Sequence, residues 1–131
     1  EEVIDSARTR GVTRDPLVRQ ELAAAYSGFE IMRFNGMRML TNLLKRGTLG
    51  PESSIGKLYW STWHRRLGER AMAIGGSDSM IVPDAPPGEY LLDEFQRIFM
   101  FSRSETIYAG SSEIQRNIIG ERVLGLPREP R

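Results

Sequence analysis

Apolar side chains recur at three- and four-residue spacing through most of this chain, and no segment alternates apolar and polar positions as a strand would. The first ten residues form a short helical end with Val3, Ile4 and Ala7 apolar, closed by a turn at Arg8-Thr9-Arg10-Gly11. Asp15 and Pro16 open a long helix. The carboxylate caps free backbone N–H groups, and proline at the first helical position gives up only a donor with no helical partner. The stripe of Val18, Leu22, Ala25, Tyr26, Phe29, Met32, Met37, Leu40 and Leu44 carries this helix to about Arg46, with Gly47 as its stop. Gly28 and Gly36 interrupt it at about 1 kcal/mol each relative to alanine, so both are expected where another backbone comes close.

Thr48-Leu49-Gly50-Pro51 is a linker, after which Pro51 or Ser53 starts a second long helix. Ile55, Tyr59, Trp63, Leu67, Ala71 and Ile74 form its apolar face, Lys57, Arg65, Arg66, Glu69 and Arg70 are assigned to its surface, and Gly75-Gly76 ends it. Ser77 to Gly88 holds Pro83, Pro86 and Pro87 and reads as the one long loop. A third helix is expected from near Glu89, with Leu92, Phe95, Ile98 and Phe99 apolar, fraying between Ser102 and Glu105. The fourth opens at Ser112, where Ser112 and Gln115 have capping-box spacing. Ile114, Ile118 and Ile119 begin its apolar face, Val123 and Leu126 continue it, and Gly125 with Pro127 stops it. The pattern predicts an all-α fold, an antiparallel four-helix bundle, over a single domain spanning residues 1–131.

Composition narrows the chemistry. A chain of 131 residues with 40% apolar and 27% charged side chains suits one globular domain with a real core. A net charge of +1 gives no electrostatic reason to bind nucleic acid, and no apolar run is long enough to span a membrane. There is no cysteine and a single histidine, so disulfides, thiolate sites and multi-histidine metal sites within one chain are excluded; a reducing setting is permitted, and the cytoplasm is the expected location. The chain begins Glu1-Glu2 without an initiator methionine, from which an excised piece of a longer polypeptide is expected.

The residues themselves leave alternatives open at each candidate site. Arg8 and Arg10, flanking a turn, suit a solvated surface or a clamp whose guanidinium fork fits phosphate oxygens. Gly75-Gly76 is a helix stop, or a place where a flat ligand edge comes close. Trp63 belongs to the apolar stripe, Trp60 suits a subunit contact, and His64, with no carboxylate near it in the pattern, reads as a packed or surface residue. The mouth of the last helix is a plain cap or a site for a polar or anionic group, because its free N–H groups point outward.

The run from Tyr108 through Ala109-Gly110-Ser111-Ser112-Glu113-Ile114-Gln115-Arg116 to Leu126-Pro127 resembles the C-terminal signature of acyl-CoA dehydrogenases. That signature is Tyr, a variable residue, Gly, Thr/Ser, any residue, Glu/Gln, Ile, Gln, Arg, then an apolar helix. A looser resemblance covers nearly the whole chain. It implies the C-terminal helical domain of an FAD-dependent enzyme that dehydrogenates acyl-CoA thioesters between the alpha and beta carbons. The domain would form one wall of the flavin and acyl-CoA pocket and much of a homo- or hetero-oligomer interface.

By the same resemblance Arg8 would reach the FAD pyrophosphate of a neighbouring subunit, and Gly75 and Gly76 would lie beside its adenine. Ser111 and Glu113 match positions whose side chains contact FAD. The family's Arg-x-x-Phe-Gly continuation is replaced here by Arg8-Thr9-Arg10-Gly11-Val12. Many members carry the proton-abstracting Glu directly after the Tyr, where this chain has Ala109, so no catalytic residue is assigned within it. The base would then stand on an earlier helix of the parent. The alternative is a non-catalytic structural or interaction module derived from the same fold. Either way the 131 residues alone are expected to be inactive, to bind little or no FAD, and to self-associate.

Overall fold

The computed structural model describes residues 1–50, 53–89 and 91–128. It is all-helical, with no strand among the described residues: α1 (Glu2–Thr9), α2 (Pro16–Arg46), α3 (Ser53–Gly75), α4 (Glu94–Ser104) and α5 (Ser112–Arg122). α1 is the short helical end, and α2 to α5 are the four helices of the bundle. The Asp15 carboxylate accepts from Leu17 N at 2.8 Å with Pro16 in the first turn, and Gly47 ends α2 in the left-handed conformation. α3 begins at Ser53; Pro51, the other candidate start, lies outside the described residues.

Two boundaries move. α4 starts at Glu94 rather than near Glu89, because Asp93 and Gln96 form a reciprocal capping box: Gln96 N donates to Asp93 Oδ1 at 2.7 Å and Asp93 N to Gln96 Oε1 at 3.0 Å. The Gln96 amide also donates to the carbonyls of Ser79 and Ile81, which ties the preceding loop to α4. α5 ends at Arg122, short of Leu126. There the chain turns back through Leu126 N donating to Gly120 O at 2.9 Å.

α3 is the element on which the others pack. Pairings of Met39 with Gly56 and of Gly28 with Trp63 make α2 antiparallel to it. Gly68 against Phe99 and His64 against Glu105 do the same for α4. At Gly68 the helices touch so closely that an added Cβ would lie 2.9 Å from Phe99 Cα. At Gly28 it would lie 2.5 Å from the Trp63 ring, whose Nε1 donates to Ala25 O at 2.9 Å, so the glycine makes room for a side chain and not for the backbone expected there. Nothing lies within 4 Å at Gly36, and the approach expected there is not made within this chain.

The buried core is thin. Ala7, Leu22 and Ile74 are packed together, with Val3, Ile4, Val12 and Val18 against them. Large apolar side chains along the C-terminal half of α2, Phe34, Met37, Leu40 and Leu44, stay exposed.

Candidate functional site

The site residues expected from the sequence fall into two groups at opposite ends of α3. At the C-terminal end, Gly75 closes α3 in right-handed conformation and Gly76 turns left-handed at φ 59° into a short 3-10 turn, Gly76–Met80. Gly75 has a local reason to lack a side chain, since a Cβ would meet Ser79 Cβ at 2.7 Å, whereas the space at Gly76 is open. α1 docks here through Arg10, which donates to Gly75 O at 3.2 Å and pairs with Asp78 at 2.9 Å. Arg8 does not touch the glycines. Its side chain is 70% exposed, pairs with Asp5 at 3.2 Å, and borders a groove of about 650 Å³ whose apolar walls include Leu22, Phe29, Trp63 and Leu67.

At the N-terminal end of α3 lies the turn between α4 and α5. Ala109 has φ 55°, the one left-handed non-glycine among the described residues, and Gly110 follows at φ 95°. Two left-handed residues in succession reverse the chain and deliver it to α5. The Gln115 side chain fills the inside of the turn, donating to Ala109 O at 2.9 Å and lying 2.8 Å from where a Gly110 Cβ would sit. Glycine is therefore required at 110 on both counts. Gln115 is thus used inside the turn, and the expected capping box with Ser112 is not formed. The capping residue is Ser111, one position earlier, whose Oγ accepts from Ile114 N.

Ser111 and Glu113 come together at the mouth of α5. The Glu113 carboxyl is exposed and held below the usual carboxylate range, first by its own backbone N–H, then by the Ser111 hydroxyl, with Arg116 adding a weaker attraction. An anion at this end of a helix also meets the positive pole of the backbone dipoles. The mouth can thus donate N–H and O–H groups and accept at a carboxylate that stays ionised.

Two residues near this turn, His64 and Lys57, have partners that sequence pattern did not give. His64 has a carboxylate after all: its Nδ1 lies 2.6 Å from Glu105 Oε2, both side chains are largely buried (15% and 6% exposed), and Trp60 stacks on the imidazole at 4.6 Å. Lys57, assigned to the surface from its place on the helix, points inward and donates to the carbonyls of Glu105 at 3.0 Å and Gly110 at 2.7 Å. These pairs are separated by 41 to 53 residues along the chain, so no local spacing announces them. Among the described residues no group of three or more His, Cys, Asp or Glu could hold a metal, and no helix is long and apolar enough to cross a membrane.

Helices packed on a central one, with a capped helix leaving a left-handed turn, define an all-helical bundle domain. The family described as acyl-CoA dehydrogenase, C-terminal domain, matches residues 1–124, and the chain belongs to it. The chain is 43% identical over 133 residues to the acyl-CoA dehydrogenase IpdE1 of Mycobacterium tuberculosis, covering 97% of this chain and 31% of that protein. It is 42% identical over 127 residues to IpdE1 of Mycolicibacterium smegmatis, covering 97% and 30%. Among solved structures it is similar to a chain of the Tcur3481-Tcur3483 steroid ACAD, with a TM-score of 0.82 at 26% identity over 98% of this chain and 33% of that one. It shares its fold with a chain of the ChsE4-ChsE5 complex from Mycobacterium tuberculosis, TM-score 0.76 at 19% identity, covering 97% and 36%. The chain thus spans about a third of the length of the curated relatives it matches.

Proposed function

We propose that this chain is the C-terminal helical domain of a longer FAD-dependent acyl-CoA dehydrogenase, supplying flavin contacts and part of an oligomer interface. The observation that carries the reading is the α4–α5 turn. Ala109 and Gly110 are left-handed, and they bring Ser111 and Glu113 to an exposed helix mouth with donors and an ionised acceptor side by side.

The residues present fit a flavin dinucleotide. Gly76 leaves open space above a left-handed backbone, where a flat adenine edge can rest, and Gly75 holds the helix end beneath it. The exposed Arg8 fork suits a pyrophosphate. Ser111 and Glu113 offer hydrogen bonds to a second part of such a molecule. The two groups stand at opposite ends of α3, roughly 27 Å apart at the helical rise of about 1.5 Å per residue between Lys57 and Gly75. We therefore assign them to two flavins, with the Arg8 end serving that of a neighbouring subunit. The exposed face of α2 is the corresponding subunit contact, and the paired name of the solved relative, the Tcur3481-Tcur3483 steroid ACAD, supports it.

FAD, when bound, supplies the acceptor for the hydride that leaves the beta carbon. This chain's own contribution is to bind and orient. Ala109 carries no group that takes a proton, so abstraction at the alpha carbon falls to a carboxylate elsewhere in the parent protein. A steroid-type acyl-CoA is the proposed substrate, on the strength of the solved relative named a steroid ACAD.

The test is the parent protein purified with its flavin and given steroid-type and straight-chain acyl-CoA esters with an artificial electron acceptor. Reduction of the acceptor supports the reading, and a parent that never retains flavin overturns it. The 131 residues alone should bind little FAD and reduce nothing. Ala109 also favours a second reading, a module that only assembles a complex. That reading predicts a parent in which no Asp or Glu on the preceding helix is needed, and no acyl-CoA is turned over even with flavin bound.

A further inference from the structure

We infer that Lys57 is a positioning residue, whose ammonium holds the α4–α5 turn in its left-handed form and so sets the aim of Ser111 and Glu113. The inference rests on the flavin-facing role proposed above and adds the residue that fixes that site's geometry. Ala109 at φ 55° is in a region that disfavours any side chain, and such a conformation persists only where its surroundings over-determine it. Two fasteners surround it. From within α5, Gln115 holds Ala109 O. From α3, Lys57 spans the turn, one N–H on Glu105 O at its start and another on Gly110 O at its end. The two carbonyls bracket Thr106 to Ala109, so a single cation fixes the distance across the reversal.

The ammonium suits this place physically. Glu105 is the C-terminal cap of α4, where carbonyls have run out of helical partners and the dipole is negative. Lys57 is half-buried, and its hydrogen bonds to the two carbonyls are charge-assisted. The Glu105 side chain is engaged separately by His64, so Lys57 acts on the backbone and not through an ion pair. Gly110 O belongs to the residue immediately before the Ser111 cap. A shift there turns the first residues of α5, and with them Ser111 and Glu113.

The experiment compares the parent flavoprotein with K57M, K57R and, as a distant control, K45M at the exposed end of α2. Flavin affinity is read by fluorescence titration, and amide hydrogen exchange is read over residues 109–113 and over α2. K57M is expected to weaken flavin binding about tenfold, as loss of orientation in a preorganised site does, and to speed exchange at 109–113 while α2 is unchanged. K57R should recover most of both, and K45M should match the parent. K57M with affinity within twofold of the parent and unchanged exchange at 109–113 would overturn the proposal. If K57M does not fold, K57Q, which keeps donors without charge, takes its place. Unfolding of both would overturn it too, since the lysine would then support the whole bundle rather than the turn. A parent that never holds flavin defeats the functional reading above, and the exchange at 109–113 still decides the role of Lys57.

Discussion

The two halves of α2 carry the same apolar spacing and meet different fates. In the first half Leu22, Ala25 and Gly28 are buried, and Trp63 of α3 sits on Gly28 with its Nε1 bonded to Ala25 O. In the second half Phe34, Met37 and Leu40 are more than half exposed and Leu44 is 78% exposed, while Gly36 faces open space. The difference teaches what periodicity means. It announces a helix and a face that is to be covered; it does not say which chain supplies the cover. For Ala25 and Gly28 the cover is α3, which also meets Met39 at Gly56; Tyr26, Phe34, Met37, Leu40 and Leu44 stay more than half exposed.

The sharpest way to break the comparison is to disturb a contact that certainly belongs to this chain. Gly68→Ala would place a Cβ 2.9 Å from Phe99 Cα and 3.2 Å from its N, backbone atoms that move only if α4 moves. It should destabilise the chain by about 2–3 kcal/mol, in the range of overpacked cores, measured by urea unfolding. A loss under about 0.5 kcal/mol would mean that α4 is held more loosely than α2. Gly28→Ala comes next. The Trp63 ring can swing away from the new methyl, but its bond to Ala25 O goes with it, so about 1–2 kcal/mol should be lost with a change in tryptophan fluorescence.

Gly36→Ala has the opposite sign. With nothing to strike, only helix propensity changes, and the chain should gain about 1 kcal/mol. A loss in place of that gain would show that a second copy already covers this face in solution. The smallest effect concerns Glu113. Its folded pKa is depressed, so its contribution to stability is present above the unfolded value and fades as pH falls through the folded one. Glu113→Gln should flatten the acid limb of stability against pH, lowering stability slightly near neutrality and leaving it unchanged at the acid end, where the carboxylate is protonated in both states. An unaltered acid limb in the variant would remove the carboxylate from the account.

How much of this was legible follows from distance along the chain. Asp15-Pro16, Gly47 and the end of α3 at Gly75 were plain, because capping and stopping are decided by neighbours one to four residues away. The start of α4 was missed because Leu91 and Leu92 extend the apolar pattern backward, although Asp93 and Gln96 carried a capping-box spacing that would have given it. The last helix was off by one at its cap because Gln115, which looked like Ser112's partner, is recruited by the carbonyl of Ala109 instead. The close approach at Gly28 and the openness at Gly36 look alike in sequence, and only the position of Trp63 separates them. Lys57 and the His64–Glu105 pair could not be found at all, since their partners arrive from across a loop. The signature around Tyr108 named the family from its residues and left unstated what holds the turn in place.

α3 also acts as a ruler. It is unbroken from Lys57, which grips the α4–α5 turn at one end, to Gly75 at the other. One residue inserted between them would lengthen the rod by about 1.5 Å and rotate one end against the other by about 100°. Each end could keep its own local contacts, yet the two would no longer face matching places in an assembly. Substitutions on this helix should therefore be far better tolerated than any change in its length.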